Sequence, residues 1–139
     1  MSWRDRALLL EALAIVSALP MALRLAGVQR AMRMLSRSLD GDGPRRRVDE
    51  TRAREVARIV AMASRHAATT NTCLHRSLAL WWLLGRRGLA SELKMGARHA
   101  DGRLDAHAWV EHAGLVVNDD PSVASAYTPL SRVIANTHP

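Results

Sequence analysis

The chain has 139 residues, a net charge of +7 at neutral pH and a single cysteine. This length predicts one domain that buries roughly two thirds of its unfolded surface, and the single cysteine excludes an internal disulfide, which favours a reducing cytoplasm. Aromatic residues make up only 4% of the chain and none alternates with basic residues, so we expect no nucleic acid partner and interpret the charge as attraction to an acidic peptide or protein.

Residues 3–39 are predicted to be helical, as one long helix broken near Pro20 or as two helices, because apolar residues recur there at helical spacing. This segment is apolar enough to raise the question of a membrane span. Its longest run without a charge, Ala12 to Leu23, lies between Glu11 and Arg24 and is shorter than the roughly 20 residues that cross a bilayer. We therefore expect an apolar helix of a soluble protein and no membrane span.

Asp40-Gly41-Asp42-Gly43-Pro44 is a cluster of helix-breaking residues and the clearest boundary in the chain. On this basis we divide the chain into an N-terminal helical segment with its linker, residues 1–48, and a catalytic core, residues 49–139. The two parts are expected to form one compact domain.

The core is predicted to begin with two helices and to continue with strands. Asp49 is a suitable cap for the first helix, expected to end near Ala67, and residues 69–72 offer several caps for the second, from about Cys73 to Gly85. From Ala90 onward apolar residues alternate with a period of two, as they do in strands. Helices followed by strands indicate an α+β fold, with the N-terminal helices packed on a small antiparallel sheet.

A hairpin is predicted around Gly114, where two strand-like runs meet. If residues 112–114 form a three-residue loop with Gly114 in its left-handed position, His107 on one strand lies opposite Asp119 on the next. Opposed residues on one face of a sheet have Cβ atoms about 5 Å apart, so Asp119 could accept a hydrogen bond from the imidazole. A two-residue loop would put the two side chains on opposite faces, so this prediction depends on the turn.

Cys73 is the candidate nucleophile. It lies at the predicted start of a helix, capped by Asn71 or Thr72, where the helix dipole favours a thiolate, and a histidine that takes up the thiol proton would favour it as well. Cys, His and Asp in this order on a helix, a strand and the next strand are typical of a papain- or transglutaminase-type thiol site. The backbone N–H of Cys73 and the side chain of Asn71 are candidates for binding the oxyanion.

The other histidines are interpreted as structural or solvated. His66 and His75 lie near Cys73, but these spacings match no usual zinc site, so we expect neither a metal nor any other cofactor. Three more histidines are predicted to be solvated because they fall in loops or at the terminus: His99, His112 and His138.

The residues around Cys73 and His107 resemble those of the transglutaminase-like cysteine peptidases of lasso-peptide biosynthesis. The resemblance comprises Thr72-Cys73-Leu74 with Arg76-Ser77-Leu78-Ala79, Leu93 and Gly96, then Ala106-His107-Ala108-Trp109-Val110-Glu111, Gly114 and Asn118-Asp119. It covers residues 72–120, and the order and spacing of these elements, rather than any one of them, make it specific. The short chain and the helical N-terminal part are similar to the stand-alone form of that peptidase.

The resemblance implies a peptidase that removes the leader from a ribosomally made precursor peptide, before a separate ATP-dependent cyclase closes the macrolactam. It implies Cys73 as nucleophile, His107 as general base and then acid, and Asp119 as the residue that orients His107. The implied partners are the precursor with its leader, a small leader-recognition protein and, in the same pathway, the lasso cyclase.

Two other functions stay open. A different thiol acyl-transfer enzyme, of the amidase or transglutaminase type, would use the same site on another substrate. A non-catalytic basic adaptor that binds acidic protein or RNA would leave the thiol unreactive and would bind with a strong salt dependence.

Overall fold

The computed structural model describes residues 1–39, 47–67 and 71–130, and the backbone of residues 134–135. The predicted boundary cluster at residues 40–44 lies outside the described residues, as do the cap candidates Thr69 and Thr70 and the C-terminal His138. The helices of the described part are α1 (Trp3–Ala26), α2 (Val28–Leu39), α3 (Glu50–Arg65), α4 (Cys73–Arg86) and α5 (Val123–Ala126). Its strands are β1 (Glu92–Ala100), β2 (Arg103–His112), β3 (Leu115–Val116), β4 (Thr128–Pro129) and β5 (Ile134–Ala135).

The strands form one antiparallel sheet in the order β3-β2-β1-β4, with β5 also paired to β1. The longest ladder joins β1 to β2, and α4 packs against both of these strands. Among the described residues, four helices come first in the chain; α4 lies on the sheet, and α1 and α3 pack against α4. The predicted α+β fold is therefore confirmed.

Residues 3–39 form two helices, as one of the two predicted alternatives has it, but α1 runs through Pro20 without interruption, so the alternative of a break at that residue is wrong. The break falls at Gly27, whose φ of 82° is in the left-handed region and whose N–H donates to the carbonyl of Leu23 at 3.0 Å. Glycine adopts this conformation at little cost, whereas a proline within a helix removes a single N–H donor and is often absorbed as a kink.

One face of α1 is buried in a core that it shares with α3 and α4. Leu8, Ala12 and Val16 on this face have no exposed surface, and α1 contacts both other helices. By length and composition alone, α1 also qualifies as a helix that could cross a membrane, a test that core helices of soluble proteins pass as well. The absence of a membrane span stays a prediction.

Helices α3 and α4 begin where the sequence predicts. Asp49 caps α3 by accepting the N–H of Arg52 at 3.0 Å, and Thr72 caps α4. The helices end within two residues of the expected positions, at Arg65 and Arg86. The apolar face of α3 is buried, and consists of Val56, Ile59, Val60 and Ala63.

The hairpin between β2 and β3 turns at Ala113 and Gly114 alone, so the predicted three-residue loop is wrong. His112 is not in a loop but pairs with Leu115. Both turn residues have positive φ, 52° for Ala113 and 80° for Gly114, as this tight hairpin turn requires. Alanine rarely adopts such a conformation, which is why the sequence alone favours a longer loop with only the glycine in it.

The ring of His112 stabilises this register. It is buried and hydrogen-bonded through both nitrogens, so the prediction that it is solvated is wrong. Nδ1 donates to the carbonyl of Ala90 at 2.5 Å, and Nε2 accepts the backbone N–H of Asp49 at 2.9 Å. The ring thus joins the end of β2 to the chain before β1 and to the cap of α3. These partners are 22 and 63 residues away in the chain, so no local pattern around His112 reveals them.

Replacing His112 with alanine should lower the free energy of unfolding by about 3 kcal/mol, since it empties a buried site and leaves two partly buried backbone groups without their partner. Urea unfolding followed by circular dichroism measures this change. The matched control is His99→Ala, at an exposed position in β1, which should change stability by no more than about 0.5 kcal/mol. Equal effects of the two substitutions would contradict the structural role of His112.

Candidate active site

Cys73 is the first residue of α4 and is half-buried. Thr72 and His75 fix this helix start reciprocally: Thr72 Oγ1 accepts the N–H of His75 at 3.5 Å, and His75 Nδ1 accepts the N–H of Thr72 at 3.1 Å. The cap takes up the N–H of His75 and not that of Cys73. The first turn of a helix presents N–H groups without intrahelical acceptors, so the cysteine lies where a negative charge is stabilised.

His75 has to be neutral for this cap to form, because its Nδ1 acts as an acceptor. Burial lowers the pKa of His75 below its ordinary value of 6.5, and the positive charge of Arg76 lowers it further. Both effects favour the neutral ring, so the cap is intact at neutral pH. His75 therefore belongs to the helix terminus and is not a ligand or a base.

Cys73 and His107 border the same small cavity, of about 130 Å³. Most of its other lining is apolar, and includes Leu74, Met95 and Leu130. Among the described residues, no hydrogen bond joins the sulfur to the imidazole. Contacts between a nucleophile and its base are often loose before a substrate binds, so the shared cavity is the informative observation.

His107 Nε2 lies 2.5 Å from Asp119 Oδ2, so the contact predicted between these two side chains is present. The strand register from which this contact is predicted is wrong, because the observed register, continued beyond β3, would put His107 opposite Asp120. Strand β3 ends at Val116, and the chain bends over residues 117–119. This bend, and not a strand pair, brings the carboxylate of Asp119 to the imidazole.

Asn118 holds the bend in place. Its Oδ1 accepts the backbone N–H of Val110 at 2.9 Å, and its Nδ2 donates to Ser77 Oγ at 3.0 Å. Ser77 Oγ in turn donates to the carbonyl of Ala108 at 3.1 Å. We call Ser77 and Asn118 the polar clasp, because these three bonds join α4, β2 and the segment that carries Asp119.

The polar clasp lies next to each predicted site residue. Ser77 is one helical turn after Cys73, Ala108 follows His107, and Asn118 precedes Asp119. The resemblance contains both clasp residues, but it implies no role for them. The sequence signal for Ser77 is a polar residue in an otherwise apolar helix face, and the structure buries it to 1% exposure.

An aromatic side chain that the sequence analysis missed covers the imidazole. Tyr127 stacks on His107 with ring centroids 5.2 Å apart, and its hydroxyl donates to Asp105 at 2.9 Å. This hydrogen bond, with help from the nearby Arg98, holds the pKa of Asp105 below its usual value. Tyr127 can approach because Gly96 lies opposite His107 in the ladder, and a Cβ on Gly96 would be only 2.7 Å from Tyr127 Cβ.

Three further predictions concern the oxyanion site, the catalytic roles and metal binding. Asn71 is half-buried two residues before α4, and its part in binding an oxyanion stays a prediction, as do the catalytic roles of Cys73, His107 and Asp119. Within residues 1–39, 47–67 and 71–130, no three His, Cys, Asp or Glu side chains are grouped so that they could hold a metal.

An α+β domain with a cysteine at a helix start and a His–Asp pair beside it defines the class of papain- and transglutaminase-like thiol proteins. The chain belongs to the transglutaminase-like superfamily, which it matches over residues 15–132. Members of this superfamily are typically cysteine peptidases or acyl-transfer enzymes. No curated protein and no solved structure matches the chain significantly. The match begins within α1, and the division of the chain after residue 48 stays a prediction.

Replacing Ser77 with alanine should lower the free energy of unfolding by about 1–3 kcal/mol, because the Asn118 amide and the Ala108 carbonyl lose their partner. Urea unfolding measures the loss. Ser125→Ala, whose hydroxyl is exposed, is the control and should cost no more than about 0.5 kcal/mol. The polar clasp would be refuted as a structural connection if the two variants unfolded at the same urea concentration.

The imidazole of His75 should titrate below pH 6.5 in the folded protein, because burial and Arg76 both disfavour its charged form. A proton NMR titration of the histidine ring signals measures this pKa. Arg76→Gln should raise it partway toward 6.5, leaving the effect of burial, whereas Arg33→Gln on α2 should not change it. A His75 pKa at or above 6.5 in the unmodified protein would contradict the proposed cap.

Proposed function

We propose that this protein is the leader peptidase of a lasso-peptide pathway, with Cys73 as nucleophile, His107 as general base and acid, and Asp119 as the residue that orients His107. The observation that carries the proposal is the position of His107. Its ring borders the cavity that holds the thiol and at the same time contacts a carboxylate through Nε2. A nucleophile, a base and a group that orients the base are the three parts of a thiol acyl-transfer site.

Nε2 is engaged by Asp119, so Nδ1 is the ring nitrogen that exchanges protons with the sulfur. Nδ1 takes the thiol proton, and the sulfur attacks the carbonyl carbon at the junction of leader and core. The Cys73 N–H binds the resulting oxyanion, with the Asn71 side chain as a second candidate donor. When the intermediate collapses, the C–N bond breaks and the imidazolium gives its proton to the amine of the core peptide.

Water then completes the reaction. His107 removes a proton from a water molecule that attacks the thioester, and the sulfur leaves and recovers that proton. The products are the leader with a free carboxylate and the core peptide with a free amine. An amine in place of water would turn the same intermediate into a transfer product, as in a transglutaminase-type enzyme.

The resemblance around Cys73 and His107 supports the particular substrate. It suggests a cytoplasmic enzyme whose substrate is presented by a small leader-recognition protein and whose product passes to the lasso cyclase. The apolar lining beside the thiol, with Leu74, Met95 and Leu130, suits an uncharged residue of the peptide next to the scissile bond.

The test is mass spectrometry of a precursor peptide encoded beside this protein's gene, incubated with the protein and the leader-recognition partner. We expect one cut that releases intact leader and core. Cys73→Ala and His107→Ala should each lower the cleavage rate by several orders of magnitude, as the loss of a nucleophile or its base does elsewhere, and Asp119→Asn should lower it somewhat less.

Asp120→Asn is the matched control for Asp119→Asn. The Asp120 carboxylate accepts the N–H of Ser122 at 2.9 Å and has no contact with His107, so this variant should cleave within about twofold of the unmodified protein. No cleavage together with fast alkylation of Cys73 by iodoacetamide at neutral pH would retain a thiol enzyme and reject the lasso precursor. No cleavage with an inert thiol would favour the basic adaptor.

A further inference from the structure

A second cavity, of about 230 Å³, lies between α3, α4 and the end of β3. Three arginine side chains line it, Arg54 and Arg58 from α3 and Arg76 from α4. Its apolar lining includes Val60, Leu80 and Val117, all of which are buried. We call this the arginine cavity. It shares no lining residue with the cavity that holds Cys73 and His107.

Two of the three arginines of this cavity have no carboxylate partner among the described residues. Arg54 pairs with Glu50 at 2.9 Å, but within the described part of the chain neither Arg58 nor Arg76 has a carboxylate within ion-pair distance. Several other arginines do contact carboxylates: Arg52, Arg86, Arg87 and Arg98. The charge of Arg76 is also felt by its neighbour, since it helps to lower the pKa of His75.

The arginine cavity adjoins the candidate catalytic residues along the chain. Arg76 follows Cys73 by three positions in α4, which puts their Cβ atoms about 5–6 Å apart on neighbouring parts of the helix surface. Asn118, which also lines the cavity, immediately precedes Asp119. A peptide whose scissile bond lies at Cys73 therefore needs to extend only a few residues to reach the guanidinium groups.

We propose that the arginine cavity is a specificity subsite that binds a carboxylate side chain, Asp or Glu, of the peptide substrate. Guanidinium groups bind carboxylates through paired N–H···O bonds, and the buried apolar residues match the methylene groups of such a side chain. The proposal rests on the proposed function for the identity of the substrate as a peptide. Binding of the carboxylate itself depends only on the cavity.

Binding can be measured by NMR on the full chain, with N-acetyl-glutamate amide as probe and N-acetyl-glutamine amide as its neutral counterpart. We expect the glutamate probe to cause saturable shifts of the Val117 and Asn118 amide signals and of the side-chain Nε–H signals of Arg58 and Arg76. The glutamine probe should cause none. The double variant R58Q/R76Q should weaken binding by about tenfold or more, because the charge-assisted hydrogen bonds are lost.

The matched control is R30Q/R33Q, which removes the same charge from exposed positions on α2 and should leave binding unchanged. Equal weakening in both double variants would overturn the subsite, because attraction to net charge would then explain the binding. Inorganic phosphate is the second probe. If it binds at these residues as tightly as the glutamate amide or more tightly, the assignment to a carboxylate is wrong.

Cleavage of the precursor provides an independent readout. R58Q/R76Q should raise KM by about tenfold or more and change kcat much less, because the lost contact binds a substrate side chain and involves none of the reacting atoms. Unchanged KM would overturn the subsite and leave the peptidase intact. Carboxylate binding without any cleavage would support the subsite and contradict the proposed function.

Discussion

The hydrogen bonds of the Asn118 side chain are the constraint on which the candidate site depends. The strand after the hairpin stops early, and Asn118 Oδ1 takes the N–H of Val110 that a longer strand would have used. The same amide reaches Ser77 on α4, so one side chain fixes the distance between helix, strand and bend. Because these bonds are partly shielded from water, a change in either of them leaves a polar group with a poorer partner, and the arrangement resists small displacements.

Much of the fold could be predicted from the sequence because its signals are local. The caps at Asp49 and Thr72 and the change from helical to strand periodicity depend on neighbouring residues only, and both helices start where expected. The break in the N-terminal helix was harder to place, since proline and glycine both interrupt helices. Only the observed backbone shows that Gly27 ends α1 and that Pro20 is absorbed within it.

The sequence predicts which residues form the candidate site, but not how the chain brings them together. The contact between His107 and Asp119 was derived from a strand register that the protein does not have, and it exists because the chain bends before Asp119. The true register depends on the buried ring of His112, whose partners are distant in the chain. Tyr127 was missed for the same reason, because its approach to His107 requires a glycine on a different strand.

The position of Cys73 has a consequence for how the protein tolerates oxidants. A half-buried cysteine that borders a cavity can be reached by peroxide and oxidised to a sulfenic acid. Redox-sensing proteins often have a second cysteine nearby, which captures that sulfenic acid as a disulfide. This chain has one cysteine only, so an oxidised Cys73 has no internal partner and depends on small thiols of the cell for its recovery.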